Sequence, residues 1–224
     1  MIFFDAHIHN KGNESKGFIV GLEGYPWFDG ILHNAEVQAI ASDANYLYFH
    51  YVEAERLSQK LPHVFLKYHP RREKYSPEEV VASIQLNQPK CVMIDTLNEP
   101  YWTPYDYWMI ARQFPETIFI FPHAGGYLIN DFVKICHFQP NVWIDFSLTH
   151  THFATISGNP LPYVEEAIVY ALNSSFRNRI LMGSDWPFFN QMDVVHFYQD
   201  KDVLDLLNEN FLTLFEKLKT RALD

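Results

Sequence analysis

Cysteine is scarce in this chain: Cys91 and Cys136 are the only two in 224 residues, each set among apolar neighbours. They read as buried free thiols, which excludes a disulfide framework and fits a reducing compartment. Basic residues are also few, with 17 Lys and Arg against 27 Asp and Glu, for a net charge of −10. That balance argues against the basic surface of a nucleic-acid binder. It equally leaves no polybasic segment to hold the chain on anionic lipid. No apolar run approaches the roughly 18 residues a membrane helix needs. The first strand-like segment has no basic n-region before it, so no signal peptide is expected, and a cytoplasmic protein is the expectation. Pro/Ser-rich linkers, repeats and low-complexity tracts are missing too. One domain over residues 1–224 follows.

What is present is apolar and aromatic: 48% hydrophobic residues, 17% aromatic, enough for one sizeable core. Strand-like segments fall at 2–9, 18–22, 46–50, 64–69, 91–95, 118–122, 142–146 and 180–183, with the choice between 18–22 and 46–50 as second strand left open. Helix-like segments lie between them. Ser76 before Pro77-Glu78-Glu79 is an N-cap with proline at the first helical position and acids in the first turn. Thr103 introduces 104–114 in the same way. Segments 129–138, 162–173, 203–207 and 209–219 show helical spacing of apolar residues. Alternating strands and helices imply a parallel sheet, and eight such units imply an α/β fold of (β/α)₈ TIM-barrel type, compact for that class. An open doubly wound sheet is the rival, weakened because no Gly-rich phosphate loop follows the first strand.

The first strand ends Asp5-Ala6-His7-Ile8-His9. Side chains alternate along a strand, so Phe3, Asp5, His7 and His9 should share one face, and Ile2, Phe4, Ala6 and Ile8 the other. His-x-His alone carries little weight. With 11 histidines in the chain, composition yields about half of one such pair by chance. A second pair, His150-Thr151-His152, lies in a loop-like segment and reads as surface histidines. The first pair gains weight from its place at a strand end. If the first and last strands are neighbours, Asp185 comes to lie beside His7 and His9. Two imidazoles and a carboxylate suit a divalent transition metal. Working residues of such barrels sit at the C-terminal strand ends, and there the chain offers Lys67, His69, Arg71, Arg72, Asp95, Asn98, Glu99, His123, Asp145, Ser147 and Ser184.

Several segments together resemble the amidohydrolase superfamily, in its amidohydrolase-2 branch. They are Asp5-Ala6-His7-Ile8-His9, Ile120-Phe121-Pro122-His123-Ala124-Gly125-Gly126, Asn141-Val142-Trp143-Ile144-Asp145-Phe146-Ser147, Ile180-Leu181-Met182-Gly183-Ser184-Asp185-Trp186-Pro187-Phe188, and Leu207-Asn208-Glu209-Asn210-Phe211-Leu212-Thr213-Leu214-Phe215. The resemblance implies a metal-dependent barrel in which His7, His9 and Asp185 bind metal, and His123 completes the site or polarises the substrate. The family usually supplies a further histidine at the end of the fifth strand. Here that strand ends in Asp95, and no histidine occurs between Cys91 and His123. Asp95, Asn98 or Glu99 substitutes, or His69 serves instead. Lys67 is a further option, since some superfamily members bridge two metals through a carboxylated lysine. One ion or two stays open.

Asp5 reads as a group that orients a ligand histidine, and Asp145 as structural. Arg71 and Arg72 are candidates for a substrate carboxylate or phosphate. Trp186, Trp102 and Tyr101 are candidate pocket walls, set against plain core packing. The leading expectation is a hydrolase of small molecules, cutting an amide, cyclic amide or lactone with metal-activated water, Asp185 as proton acceptor and His123 at the developing oxyanion. Zinc is the first choice of metal, with manganese, nickel, cobalt and iron also suited to the donors. The alternatives are a non-oxidative decarboxylase of small aromatic or unsaturated acids and a non-catalytic degenerate barrel. A homo-oligomer is left open.

Overall fold

The computed structural model describes residues 2–23, 30–97, 102–147 and 162–222. Eight strands run parallel in sequence order: β1 (Phe4–Ile8), β2 (Lys16–Val20), β3 (Tyr46–Tyr51), β4 (Phe65–Tyr68), β5 (Cys91–Ile94), β6 (Ile118–Phe121), β7 (Val142–Asp145) and β8 (Ile180–Leu181). Every strand-like segment of the sequence is a strand, and both 18–22 and 46–50 belong to the sheet. The last strand returns to the first. Ile8 bridges Trp186, Ala6 N–H donates to Met182 O at 2.8 Å, and Asp185 N–H donates to His7 O at 2.8 Å. The sheet is therefore a nearly closed barrel.

Among the described residues, eight α-helices accompany it: α1 (Asn34–Ile40), α2 (Pro70–Glu73), α3 (Pro77–Asn87), α4 (Pro104–Gln113), α5 (Ile129–Phe138), α6 (Pro162–Leu172), α7 (Gln191–Gln199) and α8 (Leu204–Arg221). The start of α3 is the capping box read from the sequence: Ser76 N–H donates to the Glu79 carboxylate at 2.7 Å, and Glu79 N–H to Ser76 Oγ at 3.3 Å. Thr103 and Asp106 repeat the device at α4. Segments 203–207 and 209–219 are one helix, α8, because Asn208 continues the turn rather than breaking it. Helices α1, α2 and α7 carry only weak sequence signals and are not among the helix-like segments of the sequence.

The fold is short because two of its connections lack a long helix. Residues 9–15 alone join β1 to β2. Seven residues extended span about 23 Å, enough to retrace a five-residue strand of roughly 17 Å. Between β3 and β4 the helix is a single 3₁₀ turn, Ala54–Arg56. No helix among the described residues is long and apolar enough to cross a membrane.

The apolar interior has two main parts. One fills the space between sheet and outer helices, with Leu66, Val92, Phe119, Ile144, Tyr107, Phe132 and Ile168. The other plugs the barrel floor. There Phe4, Phe18, Phe49, Phe65, Ile118 and Trp143 meet Phe211, Leu214, Phe215 and Leu218 of α8. The phenyl ring of Phe211 lies 5.5 Å from that of Phe4 and 4.6 Å from that of Phe18. This floor explains a departure from simple alternation in β1. Phe4 and Ala6 belong to it, whereas Phe3 and Ile8 pack outside the sheet. The register shifts between Asp5 and Ile8, and this irregularity turns His7 and His9 inward above Phe4 and Ala6.

Two predictions follow from the packing. Phe211→Ala removes a fully buried ring from the floor and should cost about 3–5 kcal/mol in chemical denaturation; a loss under about 1 kcal/mol would contradict the plug. The second concerns His50, buried on the outer face of β3, with Tyr48 Oη 2.7 Å from its Nδ1 and the His63 ring stacked at 4.2 Å. Burial, then the His63 and Arg56 charges, pull it down to about 4. A folded-state value below the unfolded one means stability is complete above about pH 6.5 and is lost as pH falls towards 4. Melting curves of His50→Phe across that window should be flatter than those of the parent.

Candidate active site

The site is assembled at the C-terminal ends of the strands. His7 and His9 come from the end of β1, Lys67 and His69 from β4, Asp95 from β5, His123 from the turn after β6, and Asp185 from the turn after β8. All seven are buried. Left-handed backbone at His123 (φ 66°), Ala124 (φ 42°) and Asp185 (φ 62°) aims these groups inward. Such conformations cost energy in non-glycine residues and cluster at functional sites. Gly125, at φ 79°, is required: a Cβ there would sit 2.1 Å from the Phe132 ring.

His7 Nε2 and His9 Nε2 lie 3.6 and 3.2 Å from Asp185 Oδ1. Potential ligand atoms of these three residues are all within 4.8 Å of one another. Both rings are fixed through their other nitrogen. His9 Nδ1–H donates to Val20 O at 3.1 Å. Asp145 accepts the Ser147 hydroxyl proton, so Ser147 Oγ accepts from His7 Nδ1–H at 3.3 Å. That leaves both Nε2 atoms facing Asp185. Burial and the Lys67 ammonium push His7 well below the usual imidazole range, so it is neutral. Burial works against ionisation of Asp185, but the two imidazoles outweigh it and hold the carboxyl below its ordinary value. Two imidazoles and an ionised carboxylate in a buried cup fit a divalent ion.

The remaining titratable groups gather around Asp95 instead. Its Oδ2 is 3.1 Å from His123 Nε2, 3.6 Å from His69 Nε2 and 3.9 Å from Lys67 Nζ, and its Oδ1 is 3.9 Å from Arg71. Burial would raise Asp95, but His69, His123 and Lys67 hold it well below the carboxylate range. Burial also opposes the His123 imidazolium, yet the Asp95 charge and hydrogen bond reverse this and raise it. His123 Nδ1–H donates to Ser147 O at 3.0 Å, so both ring nitrogens are donors. His69 is drawn down to about 3 by burial, with Asp95 opposing. Lys67, fully buried and 3.5 Å from His7 Nε2, sits between the two groups. Its ammonium is lowered by burial against Asp95 and Asp185.

The six residues considered as metal ligands thus separate into a trio, His7, His9 and Asp185, and an Asp95 cluster holding His69 and His123. Above them opens a cavity of about 240 Å³, lined by His9, Lys67, Arg71, Asp185, Phe188 and Phe189 among others. Arg71 reaches this cavity. Arg72 does not line it; its guanidinium lies 5.5 Å from the Tyr51 ring centroid and pairs with Glu73 at 3.6 Å. Trp186 also misses the cavity, packing beside Ile8, Ile19 and Tyr46 outside the sheet. The aromatic wall is Phe188, the last residue of the 180–188 segment, and Phe189, which carries no distinguishing sequence signal. Trp102 is core, its indole N–H donating to Tyr75 O. Asp145 and Ser147, read as structural and as a mouth residue, orient His7 through the chain just described. Asn98, Glu99, Tyr101, His150 and His152 lie outside the described residues.

Comparison with known proteins places the chain in a family and agrees with the barrel fold. Residues 83–219 match the Amidohydro_2 family model, described as amidohydrolase. An uncharacterized TIM-barrel protein from Bordetella bronchiseptica superposes with a TM-score of 0.69 at 15% identity, covering 94% of this chain and 79% of that one. An amidohydrolase from Burkholderia multivorans, solved with bound zinc, gives 0.60 at 12% identity over 99% of this chain and 98% of its own. The 5-carboxyvanillate decarboxylase of Sphingomonas paucimobilis gives 0.54 at 12%, over 91% and 79%. No curated protein matches the chain in sequence.

If Asp95 holds the proton on His123, Asp95→Asn should lower the His123 pKa. Histidine NMR titration of the metal-free protein checks this; an unchanged or higher value in the variant would refute the assignment.

Proposed function

The chain belongs to the amidohydrolase family Amidohydro_2, and from that premise we propose that it is a divalent-metal-dependent hydrolase of an amide, cyclic amide or lactone. The observation that carries the reading is the trio itself: two buried imidazoles, each hydrogen-bonded through Nδ1, facing one buried carboxylate at ligand spacing. His7, His9 and Asp185 would hold the ion, zinc being the first choice for this donor set. When bound, such an ion supplies Lewis acidity and lowers the pKa of water in the site.

The chain's own residues do the rest. Asp185, in contact with both imidazoles and open to the cavity, takes the proton of the attacking water and later releases it to the leaving group. His123, doubly protonated and braced by Asp95, donates a hydrogen bond to oxygen as negative charge develops there. Phe188 and Phe189 shield one side of the cavity from water, and Arg71 offers a charge to the substrate.

A second reading has one specific observation behind it. Lys67 and Arg71 place two cationic side chains on the same cavity, an arrangement suited to a substrate carboxylate and hence to decarboxylation. Product analysis separates the two: CO₂ release with loss of one carboxylate marks a decarboxylase, and uptake of water at a carbonyl marks a hydrolase.

Asp185→Asn tests the mechanism. Turnover of the best substrate from a panel of lactones, amides and aromatic acids should fall by about 10²–10⁴, with the circular dichroism spectrum unchanged. Activity within tenfold of the parent would overturn it.

A further inference from the structure

Buried titratable groups also converge outside the cavity, beneath the short β1–β2 connection. Asp5, Glu14 and Gln191 are 0%, 6% and 2% exposed. Gln191, the first residue of α7, donates one Nε2 hydrogen to Asp5 Oδ2 at 3.0 Å and the other to Glu14 Oε2 at 2.6 Å. Its Oε1 accepts Asn13 N–H at 2.8 Å. Glu14 accepts Gly12 N–H and the Tyr46 hydroxyl besides. The loop lies directly on the amide, since a Cβ on Gly12 would fall 2.1 Å from Gln191 Oε1.

The other oxygen of Asp5 faces the metal-binding strands. Oδ1 accepts His7 N–H at 3.2 Å and Ser184 N–H at 2.9 Å. One carboxylate thus grips the backbone of one expected ligand and of the residue next to another. A second carboxylate stands beside it, and in a buried setting the pair would repel were it not bridged. An amide has two donor hydrogens and can satisfy both at once. No hydrophobic or anionic side chain of that size can do so.

We propose that Gln191 is a positioning residue: by bridging Asp5 and Glu14 it fixes the carboxylate that sets His7 and Asp185 at ligand spacing. The proposal rests on the metal reading above. It also assigns a role to the β1–β2 loop, which supplies Glu14 and Asn13 as the far anchor of the bridge.

The test is zinc affinity, measured on the full chain by competition with a chromophoric chelator, together with the visible spectrum of the cobalt-loaded protein. Gln191→Leu should bind zinc at least tenfold more weakly, within the 10–100-fold range typical of groups that orient metal ligands, and should shift the cobalt d–d bands. Gln191→Glu keeps the shape but loses the double donor, and should show the same loss; it also serves if the leucine variant does not fold. Ser83→Ala, a buried hydroxyl between Tyr68 and Asn87, controls for general destabilisation and should leave zinc affinity unchanged. Parental affinity and spectrum in a folded Gln191 variant would overturn the proposal, as would an equal loss in Ser83→Ala. A parent that binds no zinc or cobalt would instead defeat the metal reading, and this proposal with it.

Discussion

The site depends on the seam where β8 closes onto β1. Only two residues of β8 are regular strand, so the closure is made largely beyond it. Met182 O, the Ser184 and Asp185 N–H groups and Trp186 O each bond to β1 or to Asp5. These bonds join positions almost 180 residues apart in sequence. Without them His7 and His9 would face no carboxylate. Gly183 makes the approach possible, because a Cβ there would meet Asp145 at 2.9 Å and His7 at 3.1 Å.

The second organising feature is the separation of charge within one cavity. Asp185 faces the His7 and His9 imidazoles, a set suited to a cation. Asp95 faces His123, His69, Lys67 and Arg71, and its charge raises the proton affinity of His123. Two buried carboxylates of the same chemical type therefore sit in different electrostatic settings, made by their neighbours. Breaking either set would leave an uncompensated buried charge, which is costly. The network is accordingly constrained as a whole, and the Asp145–Ser147 pair between His7 and His123 links its halves.

Much of this was readable from residues alone, for physical reasons. Strand ends, proline-led helix starts and the His7/His9/Asp185 set are local patterns joined by one topological rule, that barrel strands meet first to last. Each strand begins within two residues of the expected position, the largest offsets being at β1 and β2. What alternation could not show was the irregularity in β1, where Phe4 packs on Phe211 from the opposite end of the chain. Nor could proximity in sequence say that Arg71 enters the cavity while Arg72, one residue on, turns to Tyr51 and Glu73. On a helical turn neighbours point about 100° apart, and which one faces inward is decided by the β4–α2 junction. Trp186 failed as a wall for the same reason, being adjacent to Asp185 but on the outer side of the seam. The Asp5–Gln191–Glu14 bridge spans three separate segments and has no sequence signature.

The central claim, a single ion held by two imidazoles and one carboxylate, is tested most directly by X-ray absorption at the zinc edge of the zinc-loaded protein. The account predicts one zinc per chain, with two imidazole nitrogens near 2.0–2.1 Å and carboxylate oxygen among the remaining light-atom ligands. A third imidazole in the first shell, or a second zinc at close range, would contradict it, because His69 and His123 would then be ligands rather than partners of Asp95.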